Sequence, residues 1–202
     1  LPKLDGLIFD LDGVITDTAK LHSLAWEKTF NEFLKKYYPQ CPAFDREIDY
    51  KKYVDGRPRY EGVESFLKSK SIQIPWGDKK DPKEKTIYSI GHKKNQYYQG
   101  LLKEKGPVVF NDALKFLIEV KRCGHKTAII SSSKNCYEVL KQAKLLRYFD
   151  NKIDGADLEK RNIKGKPCPD VFDQAIEDLG ANPKKTVVFE DAPSGVKAAK
   201  SS

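Results

Sequence analysis

An α/β fold, with a parallel sheet covered by helices on both faces and an all-helical insert after its first strand, is what the sequence predicts. Three short apolar runs carry that reading: Leu7-Ile8-Phe9, Thr127-Ala128-Ile129-Ile130 and Thr186-Val187-Val188-Phe189. Runs this short and this continuously apolar suit strands buried on both faces, as parallel strands are. Helical periods lie around them: Leu114, Leu117, Ile118 and Lys121 before the stop at Cys123-Gly124, then Val139, Leu140 and Ala143, then Val171, Phe172, Ala175, Ile176 and Leu179, closed by Gly180. Strand alternating with helix implies the parallel, doubly covered sheet.

Residues 18–105 break the alternation and hold helical spacings only: Leu21, Leu24, Ala25, Phe30, Phe33, Leu34 and Tyr37, then Val63, Phe66 and Leu67, then Ile87, Ile90, Tyr97 and Leu101. The expected division is therefore a core of residues 1–17 and 106–202 and a helical insert of residues 18–105. Ligands of open α/β sheets bind beyond the carboxyl ends of the strands, where a chain leaving the first strand would put this insert.

Composition narrows the class. Of 202 residues, 39% are hydrophobic and 33% charged, which is enough apolar material for a packed core and excludes disorder as the overall description. No apolar run approaches membrane-span length, so a protein without membrane association and a cytoplasmic location are expected. Cys41, Cys123, Cys136 and Cys168 form no CxxC pair and are expected to be reduced, structural thiols. With no Met, the sequence reads as a piece of a longer chain. The net charge is +8, and residues 17–105 hold 19 basic against 13 acidic side chains. The densest stretch, Lys79-Lys80-Asp81-Pro82-Lys83-Glu84-Lys85, mixes signs around a proline and reads as a solvated loop rather than a phosphate-backbone groove. No nucleic-acid partner is expected.

Polar groups at the strand ends carry the chemistry. In Asp10-Leu11-Asp12-Gly13-Val14, carboxylates two positions apart on extended chain face the same side. An N-cap or turn cluster is the structural alternative. Ser131-Ser132-Ser133-Lys134-Asn135 offers hydroxyls and amides for phosphoryl oxygens near a helix start. Lys166 stands in Gly165-Lys166-Pro167, before a helix that starts after Pro169. Glu190 and Asp191 end a buried strand, where carboxylates need a cation or dense hydrogen bonding. Asp10, Asp12 and Asp191 offer hard oxygen ligands of the kind Mg2+ takes.

These four ordered segments resemble the motifs of the haloacid dehalogenase-like (HAD) phosphohydrolase superfamily, over nearly the whole chain. Asp12-Gly13-Val14-Ile15-Thr16-Asp17-Thr18-Ala19 with His22 and Trp26, Ser133-Lys134-Asn135, and Gly165-Lys166-Pro167-Cys168-Pro169-Asp170 are similar to the β-phosphoglucomutase group. The resemblance implies a Rossmann-like HAD core, a helical cap, and phosphoryl transfer on a small sugar phosphate with Mg2+ as cofactor. It implies Asp10 as nucleophile, Asp12 as general acid/base, Ser131 and Lys166 as phosphoryl-binding groups, and Asp10, the Asp12 main-chain carbonyl, Glu190 and Asp191 around the metal. For the substrate it implies His22, Gly56, Arg59, Lys94, Ser132, Ser133, Lys134 and Asn135. His125, just after Gly124, is expected at the surface.

Two departures matter. Asp55 stands before Gly56 where a mutase of this group would carry Lys, which turns an attractive charge into a repulsive one for a second phosphate, with Arg57 as a compensating cation. Mutase and phosphatase therefore both stay open, the mutase ahead. The superfamily also continues beyond the fourth motif with a strand and a helix, so strand 186–189 is expected to be an edge that further residues or a protein partner would cover. A non-catalytic basic binding module is the remote rival, and it predicts loss of a catalytic carboxylate; Asp10, Asp12, Glu190 and Asp191 are all present.

Overall fold

The computed structural model describes residues 4–80 and 83–202. The chain divides into two units, Leu1–Thr18 with Pro107–Ser202, and Ala19–Gly106.

The first unit is built on four parallel strands in the order β3-β2-β1-β4, namely β1 (Gly6–Asp10), β2 (Lys126–Ile130), β3 (Asn151–Ile153) and β4 (Thr186–Phe189). All five residues of β1 are buried, as its uninterrupted apolar run requires. The sequence reading has three strands and the sheet has four. β3 escapes it because only three residues pair and only Ile153 of them is buried, so no apolar run announces the strand. β4 pairs with β1 alone and forms one edge, with Val187 36% exposed.

Register places the chemistry. Asp10 lies opposite Ile130, and Phe9 lies between Ile129 and Phe189. The next residues along β2 and β4 are Ser131 and Glu190, so Asp10, Ser131 and Glu190 leave the sheet side by side at its carboxyl edge.

Helices α4 (Asn111–Arg122), α5 (Cys136–Gln142), α6 (Gly155–Arg161), α7 (Asp170–Leu179) and α8 (Pro193–Ser201) belong to the same unit. α7 buries Val171, Phe172, Ala175 and Leu179 in a cluster with Ile8, Ala128 and Ile130 of the sheet. It ends at Gly180 with φ +56°, the left-handed cap its sequence announces. On α4, Leu117 and Val120 are buried, whereas Ile118, read from the same periodicity, is exposed. His125 is half-buried rather than superficial, its Nδ1 3.2 Å from the Leu4 carbonyl oxygen. All four cysteines are free; burial, with the Asp12 charge adding to it, pushes the Cys136 thiol well up.

The second unit holds α1 (Thr18–Tyr37, which starts in the first unit), a single π-helical turn (Tyr50–Val54), α2 (Arg59–Ser69) and α3 (Ile87–Lys105). It has no strand among the described residues. Its core joins Trp26, Phe30, Phe33 and Leu34 to Phe44, Val63, Phe66, Leu67, Ile87 and Ile90. The buried stripe of α3 continues through Tyr98 and Leu102, one residue past the Tyr97 and Leu101 of the sequence reading. Tyr97 is half-buried, and its hydroxyl donates to Glu32 at 2.6 Å. Asp81 and Pro82 of the lysine-rich stretch lie outside the described residues; Glu84 within it accepts from Lys36 at 2.7 Å and from the Tyr37 hydroxyl at 2.6 Å, which ties the stretch to α1. Among the described residues no helix is long and apolar enough to cross a membrane.

Candidate active site

At the carboxyl edge of the sheet, Lys166 is the organising cation. Its side chain is 1% exposed, and its Nζ donates to Asp10 Oδ1 and to Glu190 Oε2, both at 2.5 Å. The loop Gly165-Lys166-Pro167, with a cis Lys166-Pro167 bond, leads into α7, and the ammonium lies 5.5 Å from the centre of the α7 ring Phe172.

Carboxylate oxygens of Asp10, Glu190 and Asp191 lie within 4.8 Å of one another. Burial pushes the Asp10 carboxyl well above its ordinary range; the Lys166 ammonium pulls the other way, and the charges of Glu190 and Asp12 add to the rise. Burial, then Glu190, likewise raises Asp191. Burial works against the Lys166 ammonium, but Asp10 and Glu190 outweigh it and hold its pKa above the usual lysine value. The ammonium is the charge that persists, since two carboxylates share it. One lysine therefore faces the clustered carboxyl groups of Asp10, Glu190 and Asp191, with the Asp12 charge adding to the field at Asp10, and this concentration of hard oxygens fits a divalent cation such as Mg2+.

Two glycines make this crowding sterically feasible. A Cβ on Gly13, which has φ +98°, would run into the Asp191 carboxylate, and a Cβ on Gly195 in the first turn of α8 would run into that of Glu190. Glu190 Oε1 also accepts from the Ala192 main-chain N–H at 3.1 Å, just before α8.

Asp12 has a separate set of partners. Thr18 Oγ1 donates to its Oδ1 at 2.5 Å and Ser131 Oγ to its Oδ2 at 2.9 Å. Its carboxylate is not part of the three-carboxylate group; the main-chain carbonyl is what the resemblance offers to a metal. Ser131 Oγ in turn accepts from Ser133 N–H at 3.0 Å, and Ser133 Oγ from Asn135 N–H at 3.2 Å, so the segment after β2 folds back on its own hydroxyls. Ser131 and Asn135 are buried and Ser132 is half-buried. Lys134 is exposed and pairs with Glu159. Sequence reading missed Thr16 and Thr18, both 0% exposed, whose hydroxyls lie 2.6 Å apart beside Asp12. The two threonines flanking Asp17 were the available signal.

The remaining predicted residues belong to the helical unit. His22 Nδ1 meets the Lys94 ammonium, which is 3% exposed and lies 5.0 Å from the Trp26 ring and 4.9 Å from the Tyr98 ring. Arg59 donates to Asn95 Oδ1 at 2.7 Å from the start of α2. Gly56 and Asp55, both half-buried, lie in the turn that precedes it.

The family profile "haloacid dehalogenase-like hydrolase" matches residues 4–202. A curated β-phosphoglucomutase of Mycobacterium bovis is 42% identical over 97% of this chain and 77% of its own length. A phosphorylated carbohydrates phosphatase of Thermotoga maritima is 30% identical over 98% of this chain and 81% of its own. Among solved structures, a β-phosphoglucomutase of Clostridium difficile superposes with a TM-score of 0.79 at 27% identity, over 98% of this chain and 81% of that one.

Proposed function

Because the chain belongs to the haloacid dehalogenase-like hydrolases, in their β-phosphoglucomutase-like subfamily, we propose that it moves a phosphoryl group on a small sugar phosphate, converting β-glucose 1-phosphate to glucose 6-phosphate. The Lys166 ammonium, held between Asp10 and Glu190 at 2.5 Å each within a ring of carboxylates, carries this reading. Such a grouping binds a phosphoryl group only once its own negative charge is offset, and it is built to be offset by a cation.

A carboxylate oxygen of Asp10 attacks phosphorus, the bond from phosphorus to the sugar oxygen breaks, and Asp12 gives its proton to that departing oxygen. Lys166 holds the phosphoryl oxygens as charge shifts toward the leaving group, and the Ser131 hydroxyl, which donates to Asp12 Oδ2 at 2.9 Å without substrate, turns its one proton to a phosphoryl oxygen when the group is bound. In the return step a second sugar hydroxyl attacks the phosphorylated Asp10, loses its proton to Asp12, and frees the Asp10 carboxylate. Asp10, Glu190 and Asp191, with the Asp12 main-chain carbonyl, would hold Mg2+. When bound, that ion supplies positive charge against the phosphoryl oxygens. Within the helical unit His22, Gly56, Arg59 and Lys94 are the proposed substrate-contacting residues, and within the core unit Ser132, Ser133, Lys134 and Asn135 are.

A second reading rests on Asp55, an anion beside Gly56 that disfavours a substrate carrying a second phosphate. With water as acceptor, the same phosphorylated Asp10 yields a phosphatase, and the similarity to a carbohydrate phosphatase supports that outcome. Incubation with β-glucose 1-phosphate, Mg2+ and a trace of the bisphosphate separates them. Glucose 6-phosphate establishes the mutase, inorganic phosphate establishes the hydrolase, and neither product overturns both.

A further inference from the structure

We infer that Thr16 is a positioning residue for Asp12, acting through the Thr18 hydroxyl, an inference that rests on the assignment of Asp12 as the proton carrier. Thr18 Oγ1 donates to Asp12 Oδ1 at 2.5 Å, so its only proton is committed to the carboxylate. The same oxygen lies 2.6 Å from Thr16 Oγ1, and with the Thr18 proton already placed, Thr16 is the donor in that contact. The alternative acceptor for Thr16 is the Leu11 carbonyl, at 3.2 Å, which already takes the main-chain N–H groups of Ile15 at 3.1 Å and Thr16 at 2.9 Å. The shorter and less crowded contact takes the proton. Both threonines are 0% exposed, so no water competes for these positions.

The main chain fixes where Thr16 stands. Its N–H donates to the Leu11 carbonyl, and its own carbonyl accepts from Gly13 N–H at 2.7 Å, which closes the turn that carries Asp12. Thr16 Oγ1 is thus the rigid end of a two-hydroxyl chain, and Asp12 is the adjustable end. Without the Thr16 hydroxyl, Thr18 Oγ1 keeps a vacant acceptor site in a buried pocket and loses the contact that holds its side chain in place against Asp12.

The test is a set of variants on the full chain with Mg2+ and the sugar phosphate. Thr16→Val, nearly isosteric, should lower kcat about 2- to 13-fold, the usual worth of one hydrogen bond, with KM within about twofold. Thr16→Ser should restore kcat. The double variant Thr16→Val/Thr18→Val should be no slower than Thr18→Val alone, because one residue works through the other. Unchanged kcat in Thr16→Val, failure of Ser to rescue, or additive losses in the double variant overturns the inference. Asp12→Asn run alongside separates the two levels: if it turns over normally, the acid/base assignment fails; if it is crippled while Thr16→Val is not, only the present inference fails. A crystal structure of Thr16→Val gives a reading independent of turnover, since a Thr18-to-Asp12 contact kept within hydrogen-bond range would also overturn it.

Discussion

Lys166 and Asp10 stand 156 positions apart in sequence, yet the lysine Nζ donates to Asp10 Oδ1 at 2.5 Å with both side chains buried. Register brings Asp10 to the sheet edge, and the loop before α7 brings the ammonium to it. Lys166→Met should remove turnover and also destabilise the fold. Taking one partner from a buried ion pair costs about 3 to 5 kcal/mol, because the other charge is left unpaired. Urea unfolding without added metal checks this, and the deficit should shrink when Mg2+ is added. A variant as stable as the parent would show that Lys166 does not balance these carboxylates.

Asp10→Asn should abolish turnover and leave the fold intact, since the amide cannot form the acyl phosphate. Asp12→Asn should slow the reaction about 10²- to 10⁴-fold, the range of a positioned acid/base. Steady-state rates, with far-ultraviolet circular dichroism as a fold control, make the comparison. Parent-like rates in either variant would remove that residue from its role.

Gly195→Ala tests the packing of Glu190. In most helices Ala in place of Gly stabilises by about 1 kcal/mol. Here the new Cβ meets the Glu190 carboxylate and forces it to move. The Mg2+ concentration for half-maximal activity should rise about 10- to 100-fold, as when groups that orient metal ligands are disturbed. An unchanged Mg2+ titration would mean that Glu190 has room to adjust.

Asp150 makes the pH prediction. Burial alone would raise its carboxyl; hydrogen bonds from the Lys121 ammonium at 2.8 Å and the Thr127 N–H at 2.8 Å outweigh it and hold the pKa below the ordinary value. A folded-state pKa below the unfolded one, near 3.9, contributes stability that is complete above that value and is lost as pH falls through the folded pKa. Asp150→Asn should therefore be less stable than the parent by a constant margin above about pH 5, and the gap should close below about pH 4. Urea midpoints across pH 2.5 to 7 measure it, and a gap that persists at low pH would show that the carboxylate charge is not the cause.

Much of this protein is legible along the chain because its signals are local. A strand buried on both faces must be apolar throughout, so β1 and β2 declare themselves; β4 is legible from its apolar run too, although the structure leaves it partly exposed at an edge instead of buried, and helical spacing with Gly180 as a stop bounds α7 to the residue. The order of Asp10-Leu11-Asp12, Ser131, Lys166 and Glu190-Asp191 is likewise written in the sequence. β3 is not, because three pairing residues at a sheet edge need no apolar run. Nor is it written that Lys134 spends its charge on Glu159, or that Thr18 and Ser131 claim the two oxygens of Asp12. Sequence by itself determined which groups exist and which strand ends carry them. Only the tertiary structure decided which carboxylate meets which donor, because a hydrogen bond depends on ångström-scale proximity between residues that the chain keeps far apart, and parallel register is what closes that distance.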